Sequence, residues 1–219
     1  MVSNINDFRK RDSVTADLLR ERLRGTRLPD DPLDVTMPPD VEHWPAAIRD
    51  QLTATLKPAG VLIPVMERSA DLSVLLTQRS AELKHHAGQV SFPGGRMEEH
   101  DPDVRITALR ETHEEVGIEP DFVSVIGFLD PMPTITGYAV TPVVGLVSES
   151  AQLVIDRTEV EYTFEVPLDF LLDEGNDRFV DREYQGRSFP MVEFHYDGQR
   201  IWGATAQILL KFRKFLKNK

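Results

Sequence analysis

The sequence predicts a single α/β (α+β) domain on a mixed β-sheet, preceded by an N-terminal helical extension. Three observations carry that expectation. Strand-like and helix-like runs follow one another without regular alternation, which disfavours a doubly wound parallel sheet. The 219 residues, 41% hydrophobic and 28% charged, suit one well-cored globular unit. A stretch from Leu28 to Trp44 holding Pro29, Pro32, Pro38 and Pro39 reads as an extended connector. It sets residues 1–55 apart as an extension laid against a domain at residues 56–219.

Within the extension, Ser13–Arg24 has the pattern of an amphipathic helix, with Leu18, Leu19 and Leu23 on one side and Arg20, Glu21 and Arg22 mostly on the other. A short helix is expected at Pro45–Leu52. Pro58–Val65 and Leu72–Thr77 read as strands around the turn residues Arg68–Asp71. A helix from Pro102 to Val116 follows, then strands at Val123–Phe128, Val140–Val147 and Thr163–Pro167. The dipeptide Asp197-Gly198 predicts a hairpin joining Met191–Tyr196 to Gln199–Trp202. Thr205–Leu216 reads as a terminal helix, basic at its end where cations favour the helix dipole.

The balance of charge narrows the function. A formal net charge of -11 argues against nucleic acid as the main partner, because phosphate backbones are bound by basic surfaces. The chain has no cysteine, which excludes disulfides, thiolate nucleophiles and cysteine-held metals. A metal must then be held by oxygen or imidazole, and carboxylates point to Mg²⁺ or Mn²⁺. No apolar run reaches the length of a signal peptide or a membrane span, so no membrane partner and a cytoplasmic location are expected.

The helix ending at Gly117 is where chemistry concentrates. Asp101 suits an N-cap, Pro102 the first helical position, and Gly117 a left-handed stop. At about 100° per residue, Ile106, Leu109, His113 and Val116 share the face expected to bury. Val104, Thr107, Ala108, Glu111, Glu114 and Glu115 fall on the other side, so three carboxylates are expected to converge. Such a face is ordinarily just solvated, and like charges one turn apart repel. Here the preceding Phe92-Pro93-Gly94-Gly95 lets main-chain groups approach a metal or phosphate.

Gly95, followed by Arg110-Glu111-Thr112-His113-Glu114-Glu115-Val116-Gly117-Ile118, resembles the signature of the Nudix hydrolases. That resemblance implies an α/β/α sandwich on a mixed sheet. It also implies Mg²⁺ or Mn²⁺ on Glu111, Glu114 and Glu115, with Glu111 and Glu115 foremost, and Arg110 orienting a neighbouring carboxylate. Asp101 stands where the pattern has Glu, with one residue more than usual before Arg110. It either partners Arg110 or only caps the helix, and the cap is the preferred reading.

Upstream, Leu75-Leu76-Thr77-Gln78-Arg79-Ser80 leads through Lys84-His85-His86-Ala87-Gly88 into Phe92-Pro93-Gly94-Gly95. This run resembles the coenzyme A pyrophosphatase branch of the Nudix family. It implies hydrolysis of coenzyme A, or a derivative, to 3′,5′-ADP and 4′-phosphopantetheine. Arg79, Lys84, His86, Gly94 and Gly95 are the implied substrate-binding residues, and Glu114 and Glu111 the candidate bases. Glu159 or Glu161, from the acidic segment Asp156–Glu165, could also contribute a base, but a surface salt-bridge role is the preferred reading for both. The alternatives are a Nudix hydrolase for ADP-ribose or NADH, or a non-catalytic nucleotide sensor. The expected partner is a small coenzyme A-like nucleotide, and a homodimer stays open.

Overall fold

The computed structural model describes residues 14–39, 41–68, 71–83, 86–184 and 186–217. In chain order the helices are α1 (Ala16–Leu23), α2 (Ala46–Leu52), α3 (Val104–Val116), α4 (Leu168–Leu172) and α5 (Gly203–Lys217). The strands are β1 (Lys57–Glu67), β2 (Leu72–Arg79), β3 (Val90–Ser91), β4 (Gly94–Arg96), β5 (Val123–Phe128), β6 (Met132–Pro133), β7 (Tyr138–Val147) and β8 (Val160–Pro167), then β9 (Asp177–Tyr184), β10 (Arg187–Tyr196) and β11 (Gln199–Trp202).

Successive side chains of β1 point to opposite faces, and both faces are apolar. Ala59, Ile63 and Val65 join Val74, Leu76, Val144 and Val166 in the larger core. Leu62 packs with Ala108 and Val143, and Met66 with Leu75, Val116 and Val147, beneath α3. A strand buried on both sides belongs in the middle of a sheet, and β1 is there. The strand order is β3-β2-β1-β7-β5, with β4 paired to β1, β6 to β7 and β8 to β2. The β1–β7 pair is parallel and the other pairs are antiparallel, so the sheet is mixed, as expected.

One side of β1 is shared by two partners. Residues Ala59, Gly60 and Val61 pair with β4, whereas Val65, Met66 and Glu67 pair with β2. Between them the Leu62 N–H donates to the Pro93 carbonyl at 2.9 Å. The divided edge is where the glycine loop leaves the sheet and meets α3. A Cβ on Gly60 would run into the Val104 carbonyl, so that glycine lets the helix lie close on the sheet.

The opposite face carries α1, α4, α5 and a second, three-stranded sheet in the order β11-β10-β9. Val192, Phe194 and Ile201 enter the larger core beside Leu209 and Phe212. The expected hairpin turn is present, with positive φ at both Asp197 and Gly198. The strands β3, β4, β6 and β9 and the helix α4 were not foreseen.

The extension is packed against the sheet. Leu19 and Leu23 of α1 are fully buried in the larger core. The Thr26 hydroxyl accepts the Phe128 N–H at 3.0 Å, and the Thr36 N–H donates to the Pro131 carbonyl at 2.8 Å. The Trp44 ring lies 5.7 Å from that of Phe189, and Ile48 and Leu52 of α2 are buried. No described helix is long and apolar enough to cross a membrane.

Candidate active site

Both ends of α3 are fixed by side-chain chemistry. The Ile106 N–H donates to the Asp103 carboxylate at 2.9 Å, so Asp103 is the N-cap and the helix starts at Val104. Gly117 ends it in the left-handed conformation, its N–H bonded to the His113 carbonyl. The expectation that Asp101 caps the helix is therefore corrected. Either aspartate flanking Pro102 has the chemistry of a cap, but Asp101 is buried with a better set of donors. It accepts from Arg110 Nε at 3.1 Å, Arg110 Nη2 at 2.9 Å, Thr107 Oγ1 at 3.0 Å and the Glu98 N–H at 2.9 Å. Those bonds, Arg110 first, hold its carboxyl well below the usual carboxylate range.

The expected helix faces are corrected as well. The buried residues of α3 are Val104, Thr107, Ala108, Thr112, Glu115 and Val116, while His113 is exposed and pairs with Glu119 at 3.2 Å. Small residues at 107, 108 and 112 let this side lie flat on Gly60 and Leu62, and close fit outweighs hydrophobicity in choosing the face. The Thr112 hydroxyl satisfies itself on the Ala108 carbonyl at 2.6 Å.

As a result the three carboxylates do not converge. The Glu115 side chain is 2% exposed, Glu111 is half-buried and Glu114 is 54% exposed. Arg110 Nη1 stands 2.9 Å from both Glu111 and Glu114, so Arg110 links Asp101 to two of the three. Glu115 is met instead by Arg79 Nη1 at 3.2 Å, from the end of β2, and by the Gly94 N–H at 3.3 Å. Gly94 has φ 148°, and a Cβ there would strike the Gly60 carbonyl. A Cβ on Gly95 would lie 2.5 Å from the Glu111 carboxylate. Gly95 thus opens the space in which Glu111 sits, while Gly94 lets the loop lie close on β1 with its N–H on Glu115.

Glu159, read from sequence as a surface residue, belongs beside them. Its loop is tied to the end of α3 by the Val154 N–H on the Val116 carbonyl at 2.9 Å and the Asp156 N–H on the Glu115 carbonyl at 3.0 Å. The Ser80 N–H binds the Glu159 carbonyl at 2.8 Å, next to Arg79. The signal in the sequence was the acidic segment just before β8. Glu161 is exposed, in keeping with its surface reading.

Burial is the first cause that pushes the Glu115 carboxyl up, to about 8. Arg79 and the Gly94 N–H oppose it, while the charges of Glu111 and Glu159 add to it. Glu111 is raised too, first by burial, against Arg110, with Glu114 and Glu159 reinforcing. Glu111 and Glu115 are both made hard to ionise by burial and by neighbouring carboxylates, a load that a divalent cation would relieve, and hard oxygen donors suit Mg²⁺ or Mn²⁺. Among the described residues no three acidic or imidazole groups stand close enough to chelate together, the carboxylates being held by Arg79 and Arg110. The residues fit the ion in chemistry and charge.

The expected substrate residues are only partly gathered. Arg79, Gly94 and Gly95 are at the carboxylates. His86 is exposed in the turn before β3 and its ring is bonded to Gln89 at 2.9 Å, not to a member of the cluster. Lys84 and His85 lie outside the described residues.

The model of the NUDIX domain matches residues 56–196. The chain is 42% identical over 157 residues to a protein of Citrobacter koseri described as an uncharacterized Nudix hydrolase, NudL, covering 72% of this chain and 81% of that one. A protein of Escherichia coli O7:K1 with the same description matches at the same identity and coverage. Among solved structures, a MutT/nudix family protein from Enterococcus faecalis superposes with a TM-score of 0.48 at 15% identity, over 74% of this chain and 62% of that one.

Proposed function

We infer the function from one premise: this chain belongs to the NUDIX domain family and is a Nudix hydrolase. We propose that it cleaves the pyrophosphate bond of coenzyme A or a derivative, giving 3′,5′-ADP and 4′-phosphopantetheine. One observation supports this most. The run Leu75–Gly95, which resembles the coenzyme A branch, is the same run that supplies Arg79 and Gly94 to Glu115 and Gly95 to Glu111.

Glu111 and Glu115 would hold Mg²⁺ or Mn²⁺, ions that Nudix hydrolases generally use, with Glu159 at their side. When bound, such an ion neutralises charge on the phosphates and acidifies water. The protein's own part is positional. Asp101 clamps Arg110, and Arg110 fixes the half-buried Glu111. Arg79 keeps a cation at the buried carboxylate, where substrate phosphates would compete for it. Glu114 and Glu111 remain our candidates for accepting the proton of the attacking water, Glu114 being the more accessible. The same proposal places a small nucleotide as partner and the enzyme in the cytoplasm, and takes residues 56–219 as the domain.

Turnover of coenzyme A, ADP-ribose and NADH at matched concentrations, with products identified by mass spectrometry, tests this. Coenzyme A should give the highest kcat/KM and the two named products. Faster cleavage of ADP-ribose or NADH would sink it in favour of a hydrolase for another dinucleotide.

A further inference from the structure

Two arginines flank the carboxylates, and they are held very differently. Arg110 uses Nε and Nη2 on Asp101, at 3.1 and 2.9 Å, and Nη1 on Glu111 and Glu114. Every nitrogen of that guanidinium is occupied. Among the described residues Arg79 engages through Nη1 alone, on Glu115 at 3.2 Å, and its Nε is buried without a hydrogen-bond partner. A buried donor left unpaired carries a cost that a second acceptor would remove. The Arg79 side chain is 23% exposed, so a swing of it can bring that nitrogen to an acceptor entering from solvent.

The backbone that carries Arg79 is tied down, which leaves the side chain as the part that can move. The Arg79 N–H donates to the Gln89 carbonyl at 2.9 Å, and the Arg79 carbonyl accepts the Gly88 N–H at 3.1 Å. The pairing of β2 with β8 slips by one residue between Gln78 and Arg79, an irregularity of the kind that re-aims a side chain at a strand end. Facing it, Glu115 has both oxygens engaged, Oε1 by Arg79 and Oε2 by the Gly94 N–H at 3.3 Å. A divalent cation on Glu115 would meet the guanidinium at Oε1, and two cations repel strongly at such range. Glu115 therefore serves one of them at a time.

We propose that Arg79 is a latch that swings between two anions, the Glu115 carboxylate and a substrate phosphate. Glu115 is released to the divalent cation as the phosphate takes the guanidinium. Arg79 is then a positioning residue for the ion as well as a contact of the substrate. A phosphate can accept from Nε and a second nitrogen together, the forked geometry that Glu115 does not give Arg79. The exchange is reciprocal: phosphate and ion each raise the affinity for the other by the same factor. Arg110, clamped by Asp101, has no free nitrogen for this part. The inference rests on the reading that a pyrophosphate is cleaved beside this helix, and not on which nucleotide carries it.

The test is a double-substitution cycle read by titration calorimetry at about pH 9, where Glu115 is ionised. ADP, with EDTA present, is titrated into wild type, Arg79→Gln, Glu115→Gln and the double variant. With Glu115 in place, Arg79→Gln should weaken ADP less than about two-fold, because the guanidinium is latched. In the Glu115→Gln background it should weaken ADP about ten-fold, the loss of one charge-assisted contact. Equal losses in the two backgrounds overturn the latch. Mn²⁺ is then titrated without nucleotide, and Arg79→Gln should bind it about ten-fold more tightly than wild type, the competing cation being gone. Weaker Mn²⁺ binding by the variant would make Arg79 a support of the site and overturn the proposal. If Arg79→Gln does not fold, Arg79→Lys replaces it in the ADP cycle, keeping the charge and losing the fork. Equal ADP losses with coenzyme A cleaved leave the proposed function standing without the latch. Unequal losses with coenzyme A uncleaved leave the latch and end the coenzyme A reading.

Discussion

Arg79 donates to Glu115 at 3.2 Å, joining the end of β2 to the last turn of α3 inside a nearly closed space. Arg79 opposes, without cancelling, the burial and neighbouring charges that push the Glu115 carboxyl up. Every prediction about this centre turns on that balance.

The first concerns pH. Burial pushes the Glu115 carboxyl up to about 8 in the folded protein, against an ordinary glutamate value of 4.5. Between those values the unfolded chain has released a proton that the folded chain retains. This group's contribution to stability therefore falls as pH rises through that window and levels off above it. A divalent cation needs the ionised form, so binding should expel close to one proton at pH 7 and tighten up to about ten-fold per pH unit towards pH 8. Titration calorimetry of Mn²⁺ in buffers of different ionisation enthalpy measures both. Affinity independent of pH between 6 and 8 would contradict it.

Asp101→Asn should be costly although it changes one atom. The Asp101 side chain is 1% exposed, and its partner Arg110 is 20% exposed. Breaking a fully buried pair costs roughly 3–5 kcal/mol, and Arg110 keeps Glu111 and Glu114, so a loss of about 2 kcal/mol is expected. Because Asp101 is held below its ordinary value, its contribution is present above about pH 4 and lost as pH falls further. Urea unfolding at pH 7 and at pH 3 should show the variant's deficit shrinking in acid. An equal deficit at both would refute the assignment.

Gly95→Ala should separate activity from folding. The new methyl would lie 2.5 Å from the Glu111 carboxylate, at the end of a side chain that can swing away. We expect a change in stability within about 1 kcal/mol and a fall in kcat on the order of 10²-fold. Circular dichroism melts beside steady-state kinetics decide it. Retained kcat would mean Glu111 need not sit there.

These positions show how far the sequence could be read. The existence of α3 and its stop were legible, the stop because Gly117 carries its own signal. Its start was not, since Asp101-Pro102-Asp103 offers two caps and only the fold decides that Arg110 claims the first. The helix face was misread for a physical reason: α3 lies on a glycine, and steric fit there favours Ala108 and the threonines over Leu109 and His113. Strands of two or three residues such as β3, β4 and β6 leave no periodicity to detect. In β9 charged residues on both faces hide the alternation. Glu159 is brought in by backbone bonds to α3, a relation between distant segments that no local pattern carries.

The extension gives a prediction about stability. Leu19 is fully buried in the larger core, so Leu19→Ala should cost about 2–5 kcal/mol in chemical unfolding of the full chain, within one transition. A cost below about 1 kcal/mol, or a separate early transition, would show that residues 14–52 are not part of the cooperative unit.

The most direct measurement is the kcat of Glu115→Gln on coenzyme A at saturating Mg²⁺, taken with its melting temperature. The substitution keeps the shape of the buried side chain and removes the charge that would hold the ion. The account predicts a loss on the order of 10²-fold or more with the fold intact. Near-full activity in a folded variant would contradict it.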